Sequence, residues 1–281
     1  MSANLPDLNP THVEPSMCPI GVLDSGLGGL SVLSSLRQTL PLEDFVYCAD
    51  CGNAPWGDKT SEFIIDRCRD ICRYLIETHH AKCIVLACNT ATALAADVLR
   101  REFSLPIVGI EPAVKPAVAA SRTHTVGVIA TRGTIESDRY QSLLTRFAQD
   151  SRVISIGAPG LMECVEKGDF SGPQTRALLE KYLLPMKAQG IDKLVLGCTH
   201  YPFLSETITQ ILGPGIELIE PGKAVAAVTQ KRLSTNMLER KINAHPRESF
   251  FVRGLADHIR VLELLWPCVQ TSSIRPAELK A

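Results

Sequence analysis

The chain has 281 residues, 45% of them apolar, and a formal net charge of −1 at pH 7. A chain of this length can bury one large core or two cores of about 100 to 150 residues each, and we expect two domains. Because 29 basic residues face 30 acidic ones without a long run of either sign, the composition argues against nucleic-acid or acidic-membrane binding and favours a small-molecule ligand.

No apolar stretch approaches the roughly 18 residues that span a bilayer, and the N-terminus lacks the basic and apolar segments of a signal peptide. We therefore expect a soluble cytoplasmic protein without membrane contact. The ten cysteines are too few for a disulfide scaffold and several lie in apolar segments, so reduced thiols are expected. Residues 1–17 carry three prolines and show no periodicity, which predicts a flexible extension before a fold that starts near Cys18.

Short β-rich runs alternate with amphipathic stretches from Cys18 onward. "IGVLD" (20–24) precedes a helical pattern through Leu30, Leu33 and Leu36. "FVYCA" (45–49) precedes a second pattern whose apolar positions are Ile64, Cys68, Ile71, Cys72 and Leu75. The later runs, each followed by a helical pattern, are KCIVLA (82–87), IVGI (107–110), TVGVIA (125–130), VISIG (153–157), DKLVLG (192–197) and IELIE (216–220). The alternation predicts an α/β fold with mostly parallel, doubly wound sheets and helices on both faces.

The sequence also contains an internal repeat. "IGVLDSGLGG" (20–29) resembles "VGVIATRGTI" (126–135), and the apolar runs that end in Cys88 and Cys198 have nearly the same separation along the chain. Two similar offsets indicate two pseudo-symmetric α/β halves. Prolines interrupt the pattern near residues 112 and 221, so we expect a first domain of 18–112 plus 223–281 and a second of 113–222.

Cys88 and Cys198 each lie at the carboxyl end of a predicted strand, just before a helical pattern. Ligands of open parallel sheets bind at these ends, so an active site is expected in the cleft between the two halves. A thiol at a helix start is favoured as thiolate, which would lower its pKa from about 8.5 toward neutrality. Two opposed thiols could remove a proton from one face of a carbon and return one to the other face, inverting a stereocentre. Asp24 and His200 are expected to assist them.

Other interpretations carry less weight. Any one cysteine in an apolar run is most often inert, but the repeated context favours Cys88 and Cys198. Cys48 and Cys51, with Cys68 and Cys72, could suggest a zinc or redox framework; the second pair has helix-face spacing, so no metal site is expected. "DSGLGG" lacks the Lys-Ser/Thr ending of a phosphate loop. No lysine context points to pyridoxal phosphate, and no cofactor is expected. His258 shows no partner pattern.

Five motifs together resemble, in order, those of glutamate racemases, members of the cofactor-independent aspartate/glutamate racemase superfamily. They are "IGVLDSGLGGLSVL", "PWGDK", "LACNTATA", "ATRGT" and "LGCTHYP", and the resemblance extends from about residue 20 to residue 222. It implies two pseudo-symmetric α/β domains with the site between them. It also implies interconversion of L- and D-glutamate by two cysteines, which supplies D-glutamate for peptidoglycan synthesis.

The resemblance assigns catalytic roles to Cys88 and Cys198, with Asp24 and His200 assisting. It assigns substrate contacts to Asp24, Ser25, Pro55, Trp56, Gly57, Asn89, Thr90, Thr131, Thr134, Thr199 and His200. For each hydroxyl or amide among them, helix capping is an equal alternative. Glu166 aligns with a glutamate that the family keeps near the site, and a solvated helix face is the alternative.

The chain departs from the family pattern at two positions, one in the "PWGDK" motif and one in the stretch before it, "CADCGNAP" (48–55). Trp56 replaces the usual tyrosine, and an indole N–H can donate a hydrogen bond but cannot accept one. Cys51 follows a matching Asp50 but does not itself match the family pattern.

Two rival functions remain open. Aspartate racemase activity would keep both thiols but shorten the pocket, and a regulatory role through DNA gyrase, which some glutamate racemases are reported to inhibit, could involve residues 1–17. The extension, "ATRGT" and "PAVKPA" (112–117) resemble the subgroup activated by UDP-N-acetylmuramoyl-L-alanine. A homodimer is an open alternative to a monomer.

Overall fold

The structure, a computed structural model, describes residues 14–243, 245–267 and 273–279. Its strands are β1 (Ile20–Asp24), β2 (Phe45–Ala49), β3 (Cys83–Leu86), β4 (Ile107–Gly109), β5 (Thr125–Ala130), β6 (Arg152–Gly157), β7 (Lys193–Gly197), β8 (Glu217–Ile219), β9 (Glu248–Val252) and β10 (Ile274–Pro276). Its α-helices are α1 (Leu30–Thr39), α2 (Ser61–Arg73), α3 (Asn89–Glu102), α4 (Val114–Ala120), α5 (Arg132–Ile135), α6 (Asp138–Phe147), α7 (Leu161–Glu166), α8 (Pro173–Ala188), α9 (Ser205–Leu212), α10 (Gly222–Thr235) and α11 (Leu255–Leu265). Short 3₁₀ turns span Pro15–Met17, Cys51–Asn53, Trp56–Asp58 and Tyr201–Leu204, and a π-helical turn spans Tyr74–Thr78.

The described strands form two sheets. One has the order β10-β9-β2-β1-β3-β4 and the other β6-β5-β7-β8. Every pairing between neighbouring strands is parallel. The predicted α/β fold with parallel sheets is confirmed. Strands β9 and β10 were not predicted and extend the first sheet beyond β2; the domain boundaries near residues 112 and 222 stay a prediction.

The two sheets repeat the same arrangement around their central strands. β2-β1-β3-β4 in one sheet corresponds to β6-β5-β7-β8 in the other. Gly21 of β1 pairs with Ile84 of β3, and Gly127 of β5 pairs with Leu194 of β7. In each sheet the cysteine that ends the apolar run follows the paired residue by four positions. The repeat in the sequence therefore has a counterpart in strand register, and it places the two cysteines at equivalent strand ends.

Helices cover both faces of the sheets with their apolar sides. The predicted apolar positions of α2 and the turn after it are all fully buried, in a cluster with side chains of β3 and α3. Cys48 lies in the same cluster, whereas Cys51 packs with a different one. The four cysteines considered as a metal framework are thus divided between two packing clusters, in agreement with the helix-face interpretation. The nine described cysteines are free thiols, and Cys268 lies outside the described residues.

The described chain makes defined contacts from its first residues. Residues 15–17 form a 3₁₀ turn, and the backbone carbonyl of Ser16 accepts a hydrogen bond of 2.6 Å from Nζ of Lys82. Lys82 also pairs with Glu43 at 2.6 Å. Ordered structure therefore begins before Cys18, where the fold was expected to start; residues 1–13 lie outside the described part. None of the described helices combines the length and apolarity that crossing a bilayer requires.

Candidate active site

A cavity of about 130 Å³ lies beyond the carboxyl ends of β1, β3, β5 and β7. Its lining includes most of the predicted site residues: Ser25, Pro55, Trp56, Gly57, Cys88, Asn89, Thr90, Thr131, Cys198, Thr199 and His200. It also includes residues that sequence reasoning did not select: Asp58, Arg132, Ala158, Pro159, Met162, Glu163 and Tyr201. Asp24 and Thr134 were predicted to contact substrate but do not line the cavity. Both cysteines of the repeat thus face one space that is large enough for a small molecule.

Cys88 occupies the N-cap position of α3. The backbone N–H of Ala91 donates a hydrogen bond to its Sγ at 3.4 Å, and the Ser25 hydroxyl donates another at 3.5 Å. Burial, reinforced by the nearby Asp24 carboxylate, nevertheless raises the pKa of Cys88 to about 12. The expected fall of the pKa toward neutrality is therefore wrong for Cys88. Two weak donors cannot offset the loss of water around a thiolate.

Asp24 lies fully buried beneath the cavity and holds the turn after β1. Its Oδ2 accepts hydrogen bonds from the backbone N–H groups of Gly26 at 3.3 Å and Gly29 at 2.9 Å. Burial raises its pKa to about 6, although the charge of His200 acts in the opposite direction. Asp24 therefore shapes the loop beside Cys88 and adds negative charge near that thiol. Its predicted role as a thiol assistant stays a prediction.

Cys198 follows β7, but it does not cap a helix as expected. The next residues form the 3₁₀ turn Tyr201–Leu204, which contains Pro202, and α9 begins only at Ser205. The Tyr201 hydroxyl anchors this turn by donating a hydrogen bond of 3.1 Å to the carbonyl of Ala158. The described partner of the thiol is instead His200, whose Nδ1 lies 3.6 Å from the Cys198 Sγ. The electrostatic support of the second thiol therefore comes from an imidazole.

His200 is linked to Glu166, which approaches from α7. Nε2 of His200 lies 2.6 Å from Oε1 of Glu166, and the backbone N–H of Leu27 donates to the same oxygen at 2.6 Å. Burial lowers the pKa of His200, but the hydrogen bonds to Cys198 and Glu166 outweigh it and leave that pKa well above its ordinary value. The Glu166 side chain is only 9% exposed, so the alternative of a solvated helix face is wrong. Cys198 and His200, which line the cavity, are thus linked to Glu166, which does not line it.

Gly28 allows His200 to approach the loop after β1. A Cβ at residue 28 would lie 2.6 Å from the Cγ and Cε1 atoms of the imidazole. We expect Gly28→Ala to displace His200 and to lower kcat for the chain's reaction by about 10²-fold, because small misplacements of reacting groups are costly. Steady-state kinetics check this. Gly215→Ala is a matched control, since nothing lies within 4 Å of a Cβ at that position; equal activities of the two variants would contradict the expectation.

Some polar side chains in and behind the cavity wall form hydrogen bonds with other described residues, and others form none. Both amide atoms of Asn89 and the indole Nε1 of Trp56 are buried without a hydrogen-bond partner among the described residues. Thr131 caps α5 through the N–H of Thr134 at 3.2 Å and lies 3.0 Å from the Thr90 hydroxyl. Thr134 lies behind Thr131 and is buried. Capping thus accounts for Thr131, whereas Asn89 and Trp56 offer unused hydrogen-bonding groups to a ligand.

Arg132 is the cationic group of the lining that sequence reasoning missed. It belongs to the "ATRGT" motif, from which only the two threonines were selected. The motif could have indicated Arg132. It directly follows Thr131, which was predicted as a substrate contact at a strand end, and it also lines the cavity.

Two parallel sheets bring equivalent strand-end thiols into one cavity, an arrangement typical of α/β enzymes, which bind small molecules at the carboxyl ends of their strands. The sequence profile described as Asp/Glu/Hydantoin racemase matches residues 29–229, and the chain belongs to this family. It is a racemase, an enzyme of the isomerase class.

Individual relatives agree with this assignment. The chain is 51% identical over 227 residues to the glutamate racemase of Ectopseudomonas mendocina, covering 80% of this chain and 86% of that protein. The structure of a glutamate racemase isoform from Bacillus anthracis matches with a TM-score of 0.83 and 31% identity, covering 94% and 98%. That of Escherichia coli glutamate racemase, solved with L-glutamate and the activator UDP-MurNAc-ala, matches with a TM-score of 0.82 and 29% identity, covering 94% and 100%. The resemblance predicted from the motifs is confirmed.

Proposed function

We propose that the chain interconverts L- and D-glutamate by a two-base proton transfer in which Cys88 and Cys198 are the acid and base. The observation that carries this proposal is that both thiols line one cavity from equivalent strand ends. One thiolate removes the α-proton, and the opposing thiol delivers a proton to the other face of the carbon. The protonation states of the two cysteines are exchanged after each turnover, so the reaction needs no net proton and no redox partner.

The two thiols differ in how their charge is supported. The His200–Glu166 pair provides a cation beside Cys198, because the pKa of His200 is raised. Cys88 receives hydrogen bonds from Ser25 and Ala91 but from no cationic side chain of the described residues, and its raised pKa opposes ionisation. The ammonium group of a bound α-amino acid supplies the missing positive charge, since a nearby opposite charge favours the ionised form. Ionisation of Cys88 is therefore coupled to substrate binding.

The cavity suits a zwitterion with a second carboxylate. Asn89, Trp56 and Arg132 offer donors to the carboxylates, and charge-assisted hydrogen bonds of this kind both bind and orient. The hydroxyl groups of Ser25, Thr90 and Thr199, which also line the cavity, complete the set. L-glutamate in the Escherichia coli structure supports the same choice of amino acid here.

Solvent isotope incorporation tests the mechanism. When L-glutamate is racemised in deuterium oxide, we expect the D-glutamate formed to carry deuterium at the α-carbon, because the returning proton comes from a thiol that exchanges with solvent. Mass spectrometry of the separated enantiomers measures this label. Product that keeps its original hydrogen would contradict the two-base transfer. Parallel circular-dichroism assays with L-aspartate decide between the two amino acids, and faster turnover of aspartate would overturn the choice of glutamate.

Supply of D-glutamate for peptidoglycan is the role that follows from this activity. The presence of the activator UDP-MurNAc-ala in the Escherichia coli structure supports UDP-N-acetylmuramoyl-L-alanine as an effector of this chain. Its effect would be allosteric if it changes turnover or glutamate affinity from a separate site. Equal kinetics with and without the precursor would remove this part of the proposal. Binding to DNA gyrase and homodimer formation stay predictions.

A further inference from the structure

Three side chains with metal-binding atoms converge outside the catalytic cavity. Cys51 lies in the 3₁₀ turn after β2, Glu166 at the end of α7 and His258 in α11. One ligand atom from each lies within 4.8 Å of the others, and this is the metal-compatible group found among the described residues. None of the three lines the cavity that holds the two thiols.

One oxygen of the Glu166 carboxylate forms no hydrogen bond with the described residues and is available to this cluster. Oε1 is occupied by His200 and by the N–H of Leu27, while Oε2 is buried and has no hydrogen-bond partner among the described residues. Oε2 lies 3.7 Å from Nε2 of His258, which is too long for a hydrogen bond. The contact is within ion-pair distance, but a buried carboxylate oxygen without a hydrogen bond is costly, and a cation bound between these atoms would satisfy it.

His258 is held in the orientation that a metal ligand needs. Its Nδ1 lies 2.8 Å from the backbone carbonyl of Gly254, an acceptor that fixes the proton on Nδ1. Nε2 is then the ring nitrogen turned toward Glu166, 3.7 Å from its Oε2. Metal-binding histidines ordinarily have this arrangement, in which the second ring nitrogen donates to a carbonyl or carboxylate.

Cys51 completes the donor set from a buried position, 5% exposed. Burial raises the pKa of its thiol, and the Glu166 and Asp24 carboxylates act in the same direction. The same negative surroundings favour a divalent cation, which would replace the thiol proton.

We propose that Cys51, Glu166 and His258 form a binding site for a divalent transition metal of the zinc type, with water as the fourth ligand. Sulfur, nitrogen and carboxylate donors are the set that zinc prefers, and pairs of ligands on a tetrahedral zinc ion lie roughly 3.3 to 3.8 Å apart. The 3.7 Å between His258 and Glu166 already meets this spacing. The Cys51 sulfur lies within 4.8 Å of both other ligand atoms, so a movement of about 1 Å brings it to this spacing. Metal binding at this site can be tested without reference to the two-thiol mechanism, because the readout is spectroscopic.

Cobalt(II), which binds zinc sites and reports thiolate coordination by absorption, is the probe. The full-length, chelator-treated protein is titrated with Co²⁺, and we expect a single ion per chain with a thiolate-to-cobalt charge-transfer band. Cys51→Ser should abolish the band, and His258→Ala should weaken Co²⁺ binding by at least about tenfold, since a ligand is lost. Cys18→Ser and His245→Ala are controls that replace partly or fully exposed residues of the same types outside the cluster, and both should bind like the parent protein.

The absence of a band in the parent protein would overturn the proposal. A band that survives Cys51→Ser, or one that is lost in Cys198→Ala, would also overturn it, because the metal would then occupy other thiols. Circular dichroism shows whether each variant is folded. If Cys51→Ser does not fold, the His258→Ala variant tests the proposal. The His258 side chain is 20% exposed, so its removal should disturb core packing less. Unchanged Co²⁺ affinity in that variant would refute the site.

Discussion

Replacing either Cys88 or Cys198 by alanine is expected to lower kcat/KM for glutamate racemisation by about 10⁴-fold or more in both directions. In the proposed mechanism each direction of the reaction needs one thiol as base and the other as acid, so neither variant should invert the α-carbon. The thiol that remains can still remove and return a proton on its own face. Residual exchange of the α-hydrogen with solvent should therefore be confined to one enantiomer, and to opposite enantiomers in the two variants. Circular dichroism and proton NMR in deuterium oxide measure the two quantities.

Cys72→Ala provides the matched control for these variants. Cys72 is fully buried in α2 and contributes apolar packing. Its replacement removes the same sulfur atom and should cost about 1 kcal/mol of unfolding free energy while leaving turnover unchanged. If Cys88→Ala or Cys198→Ala behaves like Cys72→Ala, the two-thiol mechanism is refuted.

The sequence predicted the sheets well wherever a strand is an uninterrupted apolar run. β1, β2 and β3 follow such runs and are fully buried, because both faces of a central parallel strand contact helices, whereas β6 and β8 are partly exposed and were predicted despite polar residues within them. β9 and β10 were missed for physical reasons. "ESFFV" begins with two polar residues, and β10 comprises three residues at the edge of the sheet, ending in Pro276. Pairing with β2, rather than local pattern, makes β9 a strand.

Residues of the candidate site that follow strands were predictable from the local pattern, whereas the helix residue Glu166 was expected near the site only from the family resemblance and His258 was not expected there. Cys88, Asn89 and Thr131 lie just after strands. The carboxyl ends of parallel strands lie at the same edge of a sheet, so the position of these residues in the sequence was enough to predict a shared site. Glu166 and His258 reach the site region from α7 and α11, and only the packing of these helices brings them near His200 and Cys51. The pKa of Cys88 was misjudged for a related reason, because burial depends on tertiary packing that no local motif contains.

Glu166→Gln is expected to lower kcat by about 10³-fold with a smaller effect on KM, because it removes charge without removing the side chain. Glutamine can still accept the hydrogen bond from Leu27, so the loop after β1 keeps its support. The imidazolium of His200 loses its carboxylate partner, and its pKa falls. A lower pKa means that His200 loses its proton at a lower pH. The alkaline limb of the pH profile of kcat should therefore move to lower pH than in the parent protein.

The shifted pH profile separates an electrostatic role of Glu166 from a structural one. A variant that only loosened α7 would lose activity equally across the pH range and would unfold at a lower temperature. Glu136→Gln, an exposed substitution of the same type, should leave both kcat and the profile unchanged. Measuring kcat in both directions, with chelator present so that bound metal cannot contribute, completes the test. An unshifted alkaline limb in Glu166→Gln would show that His200 does not depend on this carboxylate for its charge, and Cys198 would then need another source of support.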